Sequence, residues 1–227
     1  MSDGPTPRLL REWENRVRAE YASAAAFAQI THLAVVCGIP PELVRVGTRI
    51  VNDELDHASL SHDALVALGG GGEPTALDVG ALEWPRSPDG PLATLLDAVL
   101  YHSCMGETLA VPLFHAMRKP ADHPAVRPVL TRILQDEPVH SRFGWDVLDA
   151  ILAMDEAGAR ARATARLPAL IEQFRQAYGV VVPRPGPTPF ERRASLMAME
   201  EYAAIFEATL VGTILPRFAE RGIALEA

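Results

Sequence analysis

Lysine is almost missing from this 227-residue chain. Lys119 is the only one, and arginine supplies the remaining basic residues. Acidic residues outnumber basic ones, giving a net charge of −8, and no basic stripe with interleaved aromatics is present. That argues against nucleic acid as a partner. Cysteine is as scarce. Cys37 and Cys104 stand far apart, and neither belongs to a Cys-x-x-Cys pair. Zinc ribbons, four-cysteine iron sites and dithiol redox pairs are thereby excluded, and two thiols fit a reducing cytoplasm. No apolar run approaches the ~20 residues that cross a bilayer. Residues Met1 to Arg8 lack the charged-then-apolar pattern of a secretory signal. The expectation is a soluble, cytoplasmic protein with no membrane partner. Alternating strand patterns are also missing, apart from the short Val180-Val181-Val182, and no solenoid-length repeat appears.

What the chain does have is helical periodicity. Hydrophobic residues make up 48% of it, enough for one domain over residues 1–227. The pattern Leu10, Trp13, Val17, Glu20, Ala24, Phe27, Ile30 predicts a first helix starting near Thr6 or Pro7. Gly38-Ile39-Pro40-Pro41 ends it and starts a second, from about Pro41 to Leu68. A long, proline-containing connection from Gly69 to about Gly90 follows. Such length suits a crossover that carries the chain along the whole bundle. The third helix is expected over about Pro91 to Arg118, and the fourth from His123-Pro124 to about Met154. The core bundle thus spans about 7–154. Further C-terminal helices are expected over about 156–221: one from Glu156 to Tyr178 interrupted at Pro168, and one from Phe190 to Arg221 kinked at Pro216.

One helical phrase occurs twice: Asp53-Glu54-Leu55-Asp56-His57 and Asp136-Glu137-Pro138-Val139-His140. Residues three apart share a helix face. Glu54 with His57, and Glu137 with His140, can therefore each aim at one spot. Glu20 and Glu107 add lone carboxylates on otherwise apolar stripes of the first and third helices. A buried carboxylate without a partner is strongly unfavourable, so each needs a purpose. Heights along the bundle are compatible. Glu107 lies about 14 residues before a turn near Asp122 and Glu137 about 15 after it, a difference of about 2 Å; Glu20 and Glu54 differ by about 6 Å. Four carboxylates and two imidazoles would suit two iron ions, or manganese at one or both positions. Pro138, between two of these residues, predicts a π-bulge or kink in the fourth helix.

The order Glu20, Glu54–His57, Glu107, Glu137–His140 resembles the ferritin-like di-iron carboxylate superfamily over about Arg8 to Met154. The resemblance implies an all-α, ferritin-like four-helix bundle with a long helix 2–3 crossover. It also implies metal ligation by those six residues and O₂ as co-substrate. In bacterial di-iron hydroxylases the Asp before the motif Glu orients the ligand His of the facing helix. By that likeness Asp53 would hold His140, and Asp136 would hold His57. No branch matches throughout. Cys104 stands where rubrerythrins carry an extra Glu, and their four-cysteine module is absent. Val111 stands where many hydroxylases have Thr, and Ile133 where aminobenzoate N-oxygenase-like enzymes have a third His.

The function expected from this pattern is an O₂-activating non-haem di-iron oxidoreductase: a hydroxylase, desaturase or N-oxygenase acting on a small, largely apolar molecule. The alternatives are a ferroxidase or peroxide-detoxifying iron protein, and a metal-free helical interaction protein. A separate electron donor is implied, because the chain has no flavin or iron–sulfur motif. Ala24, Phe27 and Cys104 are expected to line a substrate pocket. A homodimer is the default assembly.

Overall fold

A computed structural model describes residues 4–71, 82–182 and 184–224. Its main helices are α1 (Pro7–Val36), α2 (Pro41–Ala67), α3 (Pro91–Ala98), π1 (Val99–Glu107), α4 (Thr108–Arg118), α5 (Arg127–Met154) and α6 (Glu156–Tyr178). α7 (Pro189–Arg193), α8 (Met199–Thr209), π2 (Leu210–Ile214) and α9 (Leu215–Ala219) follow. No strand occurs among the described residues, and none of their helices is long and apolar enough to cross a membrane.

The bundle is α1, α2, the continuous α3–π1–α4 rod, and α5. Proline opens α1, α2 and α3, where its missing N–H would have had no helical partner. Thr6 caps α1 by accepting from Leu9 N. Gly38 takes φ +74° in the α1–α2 link, a conformation that a side chain would resist. The middle of the crossover, residues 72–81, lies outside the described residues. Its end is clamped by Gln29, whose side-chain amide donates to Trp84 O at 3.0 Å and accepts from Trp84 N at 2.8 Å.

Three helical expectations are corrected. Of the π-bulge or kink expected at Pro138, the π-bulge is absent: α5 is α-helical on both sides of it. The π geometry lies on the facing rod instead, at Val99–Glu107, where Gly144 of α5 lets the two backbones approach closely. Pro168 does not interrupt α6, because the chain buries Leu167, Leu170 and Ile171 around it and packing outweighs the lost hydrogen bond. The last helix is not continuous. It breaks after α7, where Ser195 takes φ +71° and Leu196 N returns to Glu191 O at 2.8 Å. The break turns Ala194 and Leu196 into the core and presents the Ala194 carbonyl to Trp13 Nε1 at 3.1 Å. At Pro216 the preceding turn is π2, which accommodates the missing donor.

Candidate metal centre

α1, α2, π1 and α5 bring all six predicted residues into the bundle interior. Glu20, Glu54, His57, Glu107, Glu137 and His140 are each at most 8% exposed. Each Glu-x-x-His pair converges because its two residues stand one turn apart on the buried face of its helix. Glu54 is the hub. With Glu20 and His57 it forms one group of ligand atoms, and with Glu107 and His140 another; the atoms of each group lie within 4.8 Å of one another. His57 Nδ1 is 3.9 Å from Glu20 Oε2 and 3.8 Å from Glu54 Oε2. His140 Nδ1 is 3.0 Å from Glu54 Oε1 and 3.8 Å from Glu107 Oε2. The two rings stand 5.7 Å apart. The axial mismatch of Glu20 and Glu54 is therefore absorbed by the packing of α1 on α2.

The far side of each ring meets the aspartate of the opposite motif. His57 Nε2 is 3.1 Å from Asp136 Oδ2, and His140 Nε2 is 3.3 Å from Asp53 Oδ2. A carboxylate accepts only, so each Nε2 carries the proton and donates. In the neutral rings that leaves each Nδ1 lone pair facing the glutamates. Both Nδ1 atoms and Glu137 Oε2 are buried without a hydrogen-bond partner. Buried polar atoms are rarely left so, and unfilled lone pairs among carboxylates are what a cation would satisfy. The residues present fit a pair of metal ions.

Charge crowding is visible in the acidities. Burial, then the charge of Glu54, raises Glu107 to about 7. Burial and neighbouring carboxylates raise Glu137 and Glu20 well above the usual range. Glu54 goes the other way. Burial pushes it up, but His140 and His57 outweigh that and hold it at about 2. One carboxylate thus stays ionised between two imidazoles while its neighbours tend to hold protons.

Two arginines that the motif reading passed over guard the aspartates. Arg49 Nε is 3.4 Å from Asp53 Oδ2, while Arg132 pairs with Asp136 and approaches Asp53 Oδ1 at 3.8 Å. The signal was in the sequence: the repeated phrase extends to Arg-Ile-x-x-Asp-Glu-x-x-His in both copies, and residues four apart are helix neighbours.

A cavity of about 580 Å³ opens beside the centre. Glu20, Glu54, Glu107 and Glu137 border it, with Arg16, Trp84, His102, Leu109, Leu113 and Phe114 among its walls. Burial lowers the His102 imidazole to about 4, so it is neutral. The expected pocket residues lie elsewhere. Ala24 and Phe27 are core; Phe27 packs on Phe143 and on the His140 ring. Cys104 lies on the side of π1 where the charges of Arg221, Arg217 and Asp149 reach it, and burial drives its thiol pKa up. π geometry breaks the one-turn relation to Glu107 on which that expectation rested. The C-terminal helices, uninformative as sequence, supply Gln173, Tyr178 and Tyr202 to the cavity.

Architecture and site together define an all-helical, ferritin-like bundle with a buried carboxylate–histidine cluster. A solved structure from Synechococcus, described as protein 19 with aldehyde deformylating oxidase activity, is similar to the chain. The similarity covers 98% of this chain and 94% of that one, with a TM-score of 0.56 and 17% identity. At that identity the likeness speaks for the fold. No protein-family model matches the chain, and no curated protein matches it.

Proposed function

We propose that the protein is an O₂-dependent oxidoreductase with two iron ions held by Glu20, Glu54, His57, Glu107, Glu137 and His140, acting on a small, largely apolar molecule. The observation that carries this reading is the pair of buried Nδ1 atoms that face Glu54 from either side, at 3.8 and 3.0 Å. Four carboxylates balance two divalent cations, and mixed oxygen and nitrogen donors suit iron or manganese. Bound there, the ions would supply the Lewis acidity and the electrons with which O₂ is reduced.

The protein's own part is positioning. Asp136 and Asp53 fix the imidazole tautomers by accepting from Nε2. Arg132 and Arg49 pair with those aspartates and hold them in place. Glu54, ionised between the two histidines, is shared by both ligand groups. The apolar face of α4, with Leu109, Leu113 and Phe114, walls a cavity large enough for an organic substrate beside the centre. The structurally similar Synechococcus protein, with its aldehyde deformylating oxidase activity, supports an oxidase-type reaction. Electrons would come from a separate donor protein.

The test is direct. Full-length protein loaded with Fe(II) under nitrogen and desalted should retain about two irons per chain; under half an iron sinks the reading. Exposure to O₂ should then oxidise the bound iron once. Repeated Fe(II) turnover with growth of a mineral core would support iron handling instead.

A further inference from the structure

Arg16 is buried to 8% exposure, stands one turn before Glu20 on α1, and walls the cavity. Among the described residues its guanidinium makes two hydrogen bonds, neither to a carboxylate. Nη1 donates to Ser195 Oγ at 3.4 Å, and Nη2 to Met117 Sδ at 3.1 Å. A guanidinium has five N–H donors, and a thioether is a weak acceptor. Glu12 and Glu20 flank it on α1, but Glu20 is turned toward His57. The guanidinium face lies 4.4 Å over Trp13 and 5.6 Å from Phe114, so its plane is held while donors remain free. Buried charges are normally paired. Here the fold holds an arginine in place and faces it into a cavity, and no carboxylate among the described residues forms an ion pair with it within 4 Å. Burial lowers its pKa, and the carboxylates along α1 only partly offset this.

We propose that the cavity takes a carboxylate-bearing substrate, its acid group paired with Arg16 and its apolar body lying along α4 toward the metal centre. Leu109, Leu113 and Met117 follow one another at helical spacing on the cavity wall. That stripe runs from Glu107, beside His140, to Met117, which touches Arg16. The separation is about 6 Å along α1, from Arg16 to Glu20, and about 15 Å along α4, from Glu107 to Met117. The reacting carbon would therefore sit several bonds from the acid carbon, and the carboxylate would serve as a handle and not as a metal ligand. Tyr202, whose buried phenol is kept protonated, borders the same cavity and can add a donor. The reaction rests on the metal-centre reading; the anion site does not.

Octanoate and 1-octanol, equal in chain length and differing in charge, are the probes. Binding to full-length, Fe(II)-loaded protein under nitrogen is measured by calorimetry, and iron is counted on the same samples. Octanoate should bind at least about 10-fold more tightly than 1-octanol. Arg16→Gln should remove that preference, with the 1-octanol affinity changed less than about 2-fold, and Arg16→Lys should keep part of it. Equal binding of the two probes, no octanoate binding, or full octanoate affinity in folded Arg16→Gln would overturn the proposal. If Arg16→Gln does not fold, the two-probe comparison on the unsubstituted protein and Arg16→Lys decides. Iron-poor protein that still prefers octanoate through Arg16 would sink the metal centre and keep the anion site. Iron-replete protein without that preference would do the reverse.

Discussion

Gly144 of α5 lies so close to Ser103 of π1 that a β-carbon at position 144 would stand 2.5 Å from Ser103 Cβ and 2.6 Å from its carbonyl carbon. Gly144 is one turn after His140, and Ser103 is four residues before Glu107. This contact sets the separation of the two helices that carry Glu107, Glu137 and His140.

Gly144→Ala separates two effects of opposite sign. Helix propensity alone predicts a gain of about 1 kcal/mol. Overpacking against backbone predicts a loss of about 1–3 kcal/mol, or a melting temperature lowered by about 2–4 °C per kcal/mol in a chain of this size. The expected result is a lower melting temperature and weakened iron retention. A raised melting temperature with full iron content would contradict the role given to this contact.

Glu54 belongs to both ligand groups, whereas Glu20 and Glu107 each belong to one. Glu54→Ala should therefore abolish retention of both metals, while Glu20→Ala and Glu107→Ala should each keep about one. Elemental analysis after Fe(II) loading, with circular dichroism to check helicity, reads this directly. Retention of two metals by Glu54→Ala would remove it from its shared position.

Asp136→Asn keeps the shape of the group that meets His57 Nε2 at 3.1 Å but removes its charge and offers a donor as well as an acceptor. Losing such an outer partner typically weakens metal binding about 10–100-fold. Chelator competition should show that loss with helicity unchanged, and Asp53→Asn should do the same through His140. Unchanged affinity in both variants would reduce the two aspartates to ion-pair partners of Arg49 and Arg132.

Metal uptake should depend steeply on pH. Glu107 is held at about 7 by burial and the Glu54 charge, and Glu20 and Glu137 are raised as well. A carboxylate with a raised pKa is protonated below it and must lose that proton to ligate. Affinity should therefore climb as pH rises through about 7, with protons released on binding at pH 6. Chelator competition between pH 5.5 and 8, with pH-stat titration, measures both. A flat affinity across that range would refute the assignment.

Away from the centre, Glu191 ties the C-terminal segment to α1. Arg8 Nε donates to Glu191 Oε1 at 2.6 Å, Thr6 also donates to it, and the Thr188 backbone donates at 2.7 Å. The Arg8 hydrogen bond leads the lowering of the Glu191 pKa to about 2, against burial. A depressed carboxylate stabilises the fold above its unfolded pKa of about 4.3, and that stability is lost as pH falls toward 2. The contribution is roughly 2 kcal/mol. Glu191→Gln should lower the melting temperature at pH 6 and flatten its fall between pH 5 and 3. Parallel curves for the two proteins would show that Glu191 carries none of the acid sensitivity.

The helices legible in the sequence were those with strong periodicity and proline or glycine punctuation. α1, α2 and the α3–π1–α4 rod begin where Pro7, Pro41 and Pro91 indicated. The failures have a common cause. Pro138 suggests a π-bulge or kink and Pro168 a break, yet helix packing carries α5 through the one without a π-bulge and α6 through the other without a break. The segment from Phe190 to Arg221 looked continuous because its apolar spacing is. Its break at Ala194–Ala198 serves contacts to Trp13 and Arg16 from far away in the chain.

The sequence by itself determined that Glu54 and His57 converge, and that Glu137 and His140 converge, because the α-helical period places residues three apart on one face. It also marked Glu20 and Glu107 as costly carboxylates on apolar stripes. Only the tertiary structure decided that Glu54 lies between the two histidines, that Arg49 and Arg132 pair with the aspartates behind the rings, and that Cys104 turns away from the cavity. It alone revealed Arg16 as a buried cation facing that cavity. Those relations join different helices, and the distance between helices is set by packing, down to the hydrogen that Gly144 carries in place of a side chain.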